Sequence, residues 1–162
     1  MEIWDAYDRD FNLIKGLALV RGEPIPEGVF HLVSDVIVRH VCGDYLLMRR
    51  DLRKHYGGLW EATAGGAALR GEGPLDCALR ELREETGICA DDLTEVGRVC
   101  DQRHTLYVEY LCVTDCDKDC VTLQEGETMA YRWVSRDKLL GMKASELVTE
   151  RMQAFIEELT VK

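Results

Sequence analysis

Gly66-Ala67-Ala68-Leu69-Arg70-Gly71-Glu72-Gly73-Pro74-Leu75-Asp76-Cys77-Ala78-Leu79-Arg80-Glu81-Leu82-Arg83-Glu84-Glu85-Thr86-Gly87-Ile88 is the stretch on which the reading of this chain turns. Its second half predicts a helix over Pro74–Glu85. Pro74 suits the first helical turn, where a missing N–H costs nothing. Leu75, Ala78, Leu79 and Leu82 recur at helical spacing as a buried stripe, and Gly87 is placed to end the helix as a C-cap glycine. Glu81, Glu84 and Glu85 are separated by three and four residues. That spacing puts three carboxylates on one face, roughly opposite the leucines. Like charges so close repel one another, whereas a hard divalent cation takes such oxygen ligands. A solvated acidic face is the ordinary reading of such a cluster. Two features favour the cation: the Gly65-Gly66 pair, which lets backbone approach a ligand and permits φ > 0, and Arg80, which lies at i, i+4 from Glu84 and can orient the acids.

Working outward, Val29 to Val41 is apolar on both alternations and predicts a central strand. Cys42-Gly43-Asp44 turns it into a second strand at Tyr45–Met48. Further strands are expected near Glu95–Cys100, His104–Val113 and Ala130–Val134. Ser135 is placed to cap a short helix running to about Leu140. Ala144, Leu147, Val148, Met152, Phe155, Ile156 and Leu159 form one apolar face of a single last helix. The first fourteen residues read as a small hairpin, followed by a Gly- and Pro-containing loop at Arg21–Gly28. Strands and helices mixed without regular alternation predict an α/β fold, an α/β/α sandwich with a mixed β-sheet.

The chain has 162 residues, 46% of them apolar and 31% charged, which suits one globular domain over 1–162. A net charge of −10 argues against a nucleic-acid partner. No apolar run is long enough to span a bilayer, and the acidic N-terminus does not resemble a signal peptide. Seven irregularly spaced cysteines read as free thiols in a reducing cytoplasm. Cys112, Cys116 and Cys120 repeat every four residues but lack the close pairing and fourth ligand of a zinc site.

The quoted stretch resembles the Nudix box, G-x5-E-x7-R-E-U-x-E-E-x-G-U with U aliphatic. Gly66, Glu72, Arg80, Glu81, Leu82, Glu84, Glu85, Gly87 and Ile88 match all nine fixed positions. The resemblance to Nudix hydrolases implies a Nudix-type sandwich and a hydrolase that cuts a phosphoanhydride bond in a small-molecule diphosphate substrate. It implies that Glu81, Glu84 and Glu85, with the Gly66 carbonyl, hold Mg²⁺ or Mn²⁺, and that Glu72 and Arg80 tie the loop to the helix. A carboxylate takes the proton of the attacking water; it is a box glutamate or one from outside, with Glu109, Glu125 and Glu127 as outside candidates. Arg50, Arg53 and Lys54 form a basic island suited to substrate phosphate, or equally to a solvated loop. A homodimer is compatible with the chain.

Outside the box the chain resembles the isopentenyl-diphosphate isomerase-like branch, through the N-terminal hairpin, the Arg21-Gly22 loop, Phe30-His31-Leu32-Val33 and Arg49-Arg50-Asp51-Leu52-Arg53-Lys54. The isomerases carry Cys-Gly-His just before the box. Here Ala64-Gly65-Gly66 stands there, so the catalytic thiol and the histidine ligand are missing. His31 echoes another isomerase ligand position, although a packed, hydrogen-bonded histidine is the commoner case. The expected activity is therefore hydrolytic. An isomerase and a non-catalytic nucleotide-sensing module are the alternatives, and the intact box glutamates argue against the second. ADP-ribose cleavage is disfavoured, because the family members that cleave it carry a proline after the box and none follows Pro74.

Overall fold

The computed structural model describes residues 1–159. Strands β1 (Ile3–Tyr7) and β2 (Leu13–Val20) form an antiparallel hairpin. The hairpin is longer than the first fourteen residues, because Ile3 to Asp5 pair with Ala18 to Val20 rather than with a nearer segment. The remaining strands are β3 (His31–His40), β4 (Tyr45–Arg50), β5 (Trp60–Glu61), β6 (Thr63–Ala67), β7 (Thr94–Cys100), β8 (Thr105–Thr114) and β9 (Thr128–Val134). They build one mixed sheet. β3 runs parallel to β8 and antiparallel to β6 and β4, and β4 carries β5 and β9.

Helix α1 (Pro74–Thr86) covers one face of this sheet. Helices α2 (Arg136–Leu140) and α3 (Arg151–Glu158) cover the other. The alternation of β3 and β4 explains the layering. Val36, Val38, Leu46 and Met48 point into the α1 core, whereas Ile37, Tyr45 and Leu47 point into the core under α2 and α3. A strand buried on both faces must be apolar at both parities, as Val29–Val41 is. A third, small core of Trp4, Ala6 and Leu19 joins the hairpin to Ala67. Among the described residues, no helix is long and apolar enough to cross a membrane.

The last helix is shorter than its apolar spacing predicts. Ala144–Glu146 is one 3₁₀ turn, and Leu147 is extended at φ −112°, ψ 145°. The Val148 N–H leaves the helix to donate to the Trp60 carbonyl at 2.9 Å. The helix restarts at Arg151, whose N–H bonds to Thr149 Oγ1 at 3.1 Å. Leu147 is buried all the same, so an extended residue satisfied a helical pattern.

Candidate active site

Helix α1 presents two of its carboxylates, Glu81 and Glu85, to the β6 strand rather than to open solvent. Cys77, Ala78, Leu82 and Thr86 are its buried residues. Glu81 and Glu85 flank them and turn toward Gly65 and Gly66, and of the three acids Glu84 is the exposed one. Gly87 ends the helix in the left-handed region at φ 74°, with its N–H on the Arg83 carbonyl.

Arg80 organises this corner. Its Nε and Nη2 donate to the two oxygens of Glu72 at 2.7 and 2.9 Å, and its Nη1 donates to Glu81 at 2.6 Å and Glu84 at 3.2 Å. A fifth bond runs from Nη2 to the Ala67 carbonyl at 3.2 Å. The bidentate pair with Glu72, whose carboxylate also accepts the Leu69 N–H, clamps the loop onto the helix.

The glycine pair has a reason different from the one the sequence suggests. Gly65 and Gly66 lie inside β6, and neither has positive φ. What each needs is room. A Cβ on Gly66 would sit 2.5 Å from Glu81 Oε1, and one on Gly65 would strike Asp35 and the Ser34 carbonyl behind it. Gly65 donates its N–H to Glu85 at 3.1 Å, and the Gly66 carbonyl accepts from the Cys77 thiol at 3.4 Å.

The electrostatics are those of an acid cluster short of cations. Burial, then the neighbouring charges of Glu61 and Glu81, holds the Glu85 carboxyl well above its ordinary value. Burial also raises Glu81, against the pull of Arg80. Every cation bordering the cavity is already engaged: Arg21 by Glu2, Arg50 by Glu61 at 2.8 Å, Lys54 by Glu127, and Arg80 by the box acids. As the side chains stand, no three His, Cys, Asp or Glu groups among the described residues are gathered in ligating geometry; Glu81 and Glu84 face Arg80 instead. The donors are nevertheless hard oxygens, more carboxyl groups than the one guanidinium of Arg80 balances, which fits Mg²⁺ or Mn²⁺ rather than a soft metal.

A cavity of about 550 Å³ opens over these groups. It brings together Gly66, Arg80, Glu81, Glu84 and Glu85 with Arg50, Lys54 and Glu127. Arg53 is not among its walls: it is exposed and bound to Asp51 at 2.8 Å. Glu125 is exposed, outside the cavity lining. Glu109 is fully buried beside Asp35, its partner in β3–β8 register, and 2.9 Å from Arg151. Burial pushes both carboxyls up, helped by the charge of Glu61 at Asp35 and by the charge of Asp35 at Glu109, against the pull of Arg151; neither borders the cavity. His31 stacks on Trp4 with centroids 4.3 Å apart and bonds Thr105 Oγ1 at 3.1 Å, at the cavity wall.

Sequence reasoning passed over four groups that border this site or act on it. Glu61 charges the environment of Glu85; Glu2, Trp4 and Arg21 arrive from the hairpin. No local pattern marks them, since each is brought in by tertiary pairing.

Among the described residues no thiol lines the cavity, although that of Cys77 reaches the Gly66 carbonyl from behind it. Cys42, Cys89 and Cys120 are exposed; Cys77 is buried, and burial pushes its thiol up to about 12. Iodoacetamide on the native protein should therefore label Cys42, Cys89 and Cys120 and leave turnover within about twofold of the untreated enzyme, because a neutral buried thiol is unreactive. Loss of turnover on labelling one thiol, with the fold intact by circular dichroism, would restore a role for cysteine.

The metal-type carboxylate corner, the cavity above it and the sandwich that holds them define a hydrolase of the Nudix class. The NUDIX domain model matches residues 29–159, and the chain belongs to that family. An uncharacterized Nudix hydrolase of Listeria monocytogenes is 30% identical over 147 residues, 90% of this chain and 86% of that protein. An isopentenyl-diphosphate Delta-isomerase of Corynebacterium diphtheriae is 28% identical, over 81% of this chain and 78% of its own. In fold, the chain is similar to the DR0079 protein of Deinococcus radiodurans, with a TM-score of 0.77 and 18% identity, over 99% of this chain and 100% of that one.

Proposed function

We propose that the protein hydrolyses a phosphoanhydride bond in a substrate in which a nucleoside diphosphate, or a similar diphosphate, is linked to another group. The observation that carries this reading is the cluster of Glu81, Glu84, Glu85 and the Gly66 backbone at the floor of the cavity, where Arg80 alone faces several carboxyl groups. These donors would hold Mg²⁺ or Mn²⁺, which would neutralise the diphosphate and lower the pKa of a nearby water.

The chain's own part begins with Arg80, which together with Glu72 fixes the helix against the loop so that the carboxylates keep their spacing. Glu85, held at the cavity floor by the Gly65 N–H, takes the proton of the attacking water. The water oxygen bonds to phosphorus as the bridging P–O bond breaks, and the second phosphate leaves with the bond's electrons. Glu127 borders the same cavity and is ion-paired to Lys54, which it holds at the cavity wall. Ala64 stands where an isomerase has its thiol, which favours hydrolysis over allylic proton transfer.

Two results are expected. Phosphate release from a panel of nucleotide and isoprenoid diphosphates should require Mg²⁺ or Mn²⁺ and vanish in excess EDTA; full turnover in EDTA would end the proposal. Activity at fixed Mg²⁺ should also rise with pH above the ordinary carboxylate range. Glu81 and Glu85 are both held up, so each becomes a competent ligand only as it deprotonates at higher pH. A flat profile through that range would contradict the assignment.

A further inference from the structure

The cavity does not end at the box. Its far wall is made by the hairpin, which lies outside the segment matched by the family model, residues 29–159. The hairpin is not a loose appendage. The Ile3 carbonyl accepts the Arg70 N–H at 2.9 Å, and Asp5 accepts the Gly71 N–H at 2.7 Å, so β1 is fastened to the box loop. Its small core reaches Ala67, next to Gly66. What the hairpin contributes to the cavity is therefore held in fixed register with the carboxylates.

That contribution has a specific chemistry. Trp4 of the hairpin stacks on His31 of β3 with planes 17° apart, and the two form an aromatic wall. Burial lowers the His31 pKa, so its ring is neutral near pH 7. Glu2 accepts the Trp4 indole N–H at 2.7 Å with one oxygen and Arg21 Nη1 at 2.8 Å with the other. The pair is charge-balanced and presents hydrogen-bond donors and an acceptor side by side, on an Arg21 side chain that is 64% exposed. An additional phosphate finds no unpaired cation here. A flat, uncharged ring with donors and acceptors along its edge finds matching groups.

We propose that this hairpin end is the subsite for the heteroaromatic base of a nucleotide, with Glu2 and Arg21 reading its edge and Trp4–His31 as the apolar wall. The inference deepens the hydrolase reading and rests on it for the position of the diphosphate. It assigns specificity to an element added to the family domain, with the diphosphate over Gly66 and the base beyond Leu69.

Binding and turnover test it separately. Calorimetric titration of the four common nucleoside 5′-monophosphates, in Mg²⁺, needs no hydrolysis. At least one should bind wild type, and Arg21→Ala and Glu2→Gln should each weaken it about tenfold, the usual loss for a charged hydrogen bond. Trp4→Phe, a substitution that keeps the wall, should abolish the part of the tryptophan fluorescence change due to that ring. In steady-state assays, Arg21→Ala should raise KM for nucleoside diphosphate substrates about tenfold with kcat within twofold, and leave an isoprenoid diphosphate or inorganic diphosphate unaffected. No binding of any monophosphate to wild type, or unchanged affinity in both variants, overturns the subsite. Absence of Mg²⁺-dependent turnover on every substrate, with monophosphate binding intact and variant-sensitive, overturns the hydrolase reading and leaves the subsite standing.

Discussion

Glu85→Gln should lower kcat by at least about 10²-fold while leaving the fold intact, since a group proposed both to meet the cation and to accept the proton is worth several kcal/mol. The same variant should be no less stable than wild type without metal, and more stable at neutral pH. Glu85 has its folded pKa raised above the ordinary 4.5, because burial and the charges of Glu61 and Glu81 oppose its ionised form. A raised carboxyl favours the folded state at pH values below 4.5, and that stability is lost as pH rises through the folded value. Glutamine loses nothing on that climb, so the variant's advantage should be absent near pH 4 and grow toward pH 7. Mg²⁺ should reverse the order. A ligand at a hundred times its Kd stabilises by about 2.7 kcal/mol, and the variant has given up one of the ligands. Thermal melts at two pH values, with and without Mg²⁺, measure both signs. A Gln variant that melts early and keeps its specific activity would make the cluster structural.

Gly66→Val should also cost about 10²-fold in kcat, through displacement of a carboxylate rather than backbone strain. Gly66 is extended, a conformation that valine adopts readily. The obstruction is Glu81, whose Oε1 and Cδ would lie 2.5 and 2.7 Å from the new Cβ. The end of a glutamate side chain can swing aside, so the stability loss should stay near 1–3 kcal/mol. The swung carboxylate, however, leaves the floor of the cavity. Gly65→Ala is the contrast. Its Cβ would meet the Ser34 carbonyl and the Asp35 Cα, which are backbone and cannot swing. That variant should lose folding before it loses chemistry. If Gly66→Val folds and keeps both Mg²⁺ affinity and turnover, Gly66 has no part in the site.

What the sequence made legible was whatever is written locally. Pro74, the apolar stripe and Gly87 announce α1, and the two-faced apolar strand announces β3. The box spacing announces Arg80 with its glutamates. What it hid depends on distant pairing. β5 and β6 are strands because Ile37 to Val33 and Met48 to Arg49 pair with them; two glycines in one of them would argue against a strand on propensity alone. The break before α3 depends on one hydrogen bond, from Val148 to Trp60. The acids were expected on a face roughly opposite the leucines, but Glu81 and Glu85 sit beside the buried stripe, where helical spacing alone does not reveal the β6 edge facing them. Arg50 and Arg53 read alike in sequence. Only the fold separates them, by turning Arg50 to Glu61 at the cavity and Arg53 to Asp51 outside it.

In the proposed function this carboxylate corner holds a divalent cation. Water-proton relaxation on titrating Mn²⁺ into the apo protein tests it directly, without any assumption about substrate. Saturable Mn²⁺ binding that Mg²⁺ competes away, and that Glu84→Gln and Glu85→Gln each weaken by about tenfold or more for loss of a charged ligand, is the predicted result. No saturable binding, or equal affinity in wild type and both folded variants, would contradict it.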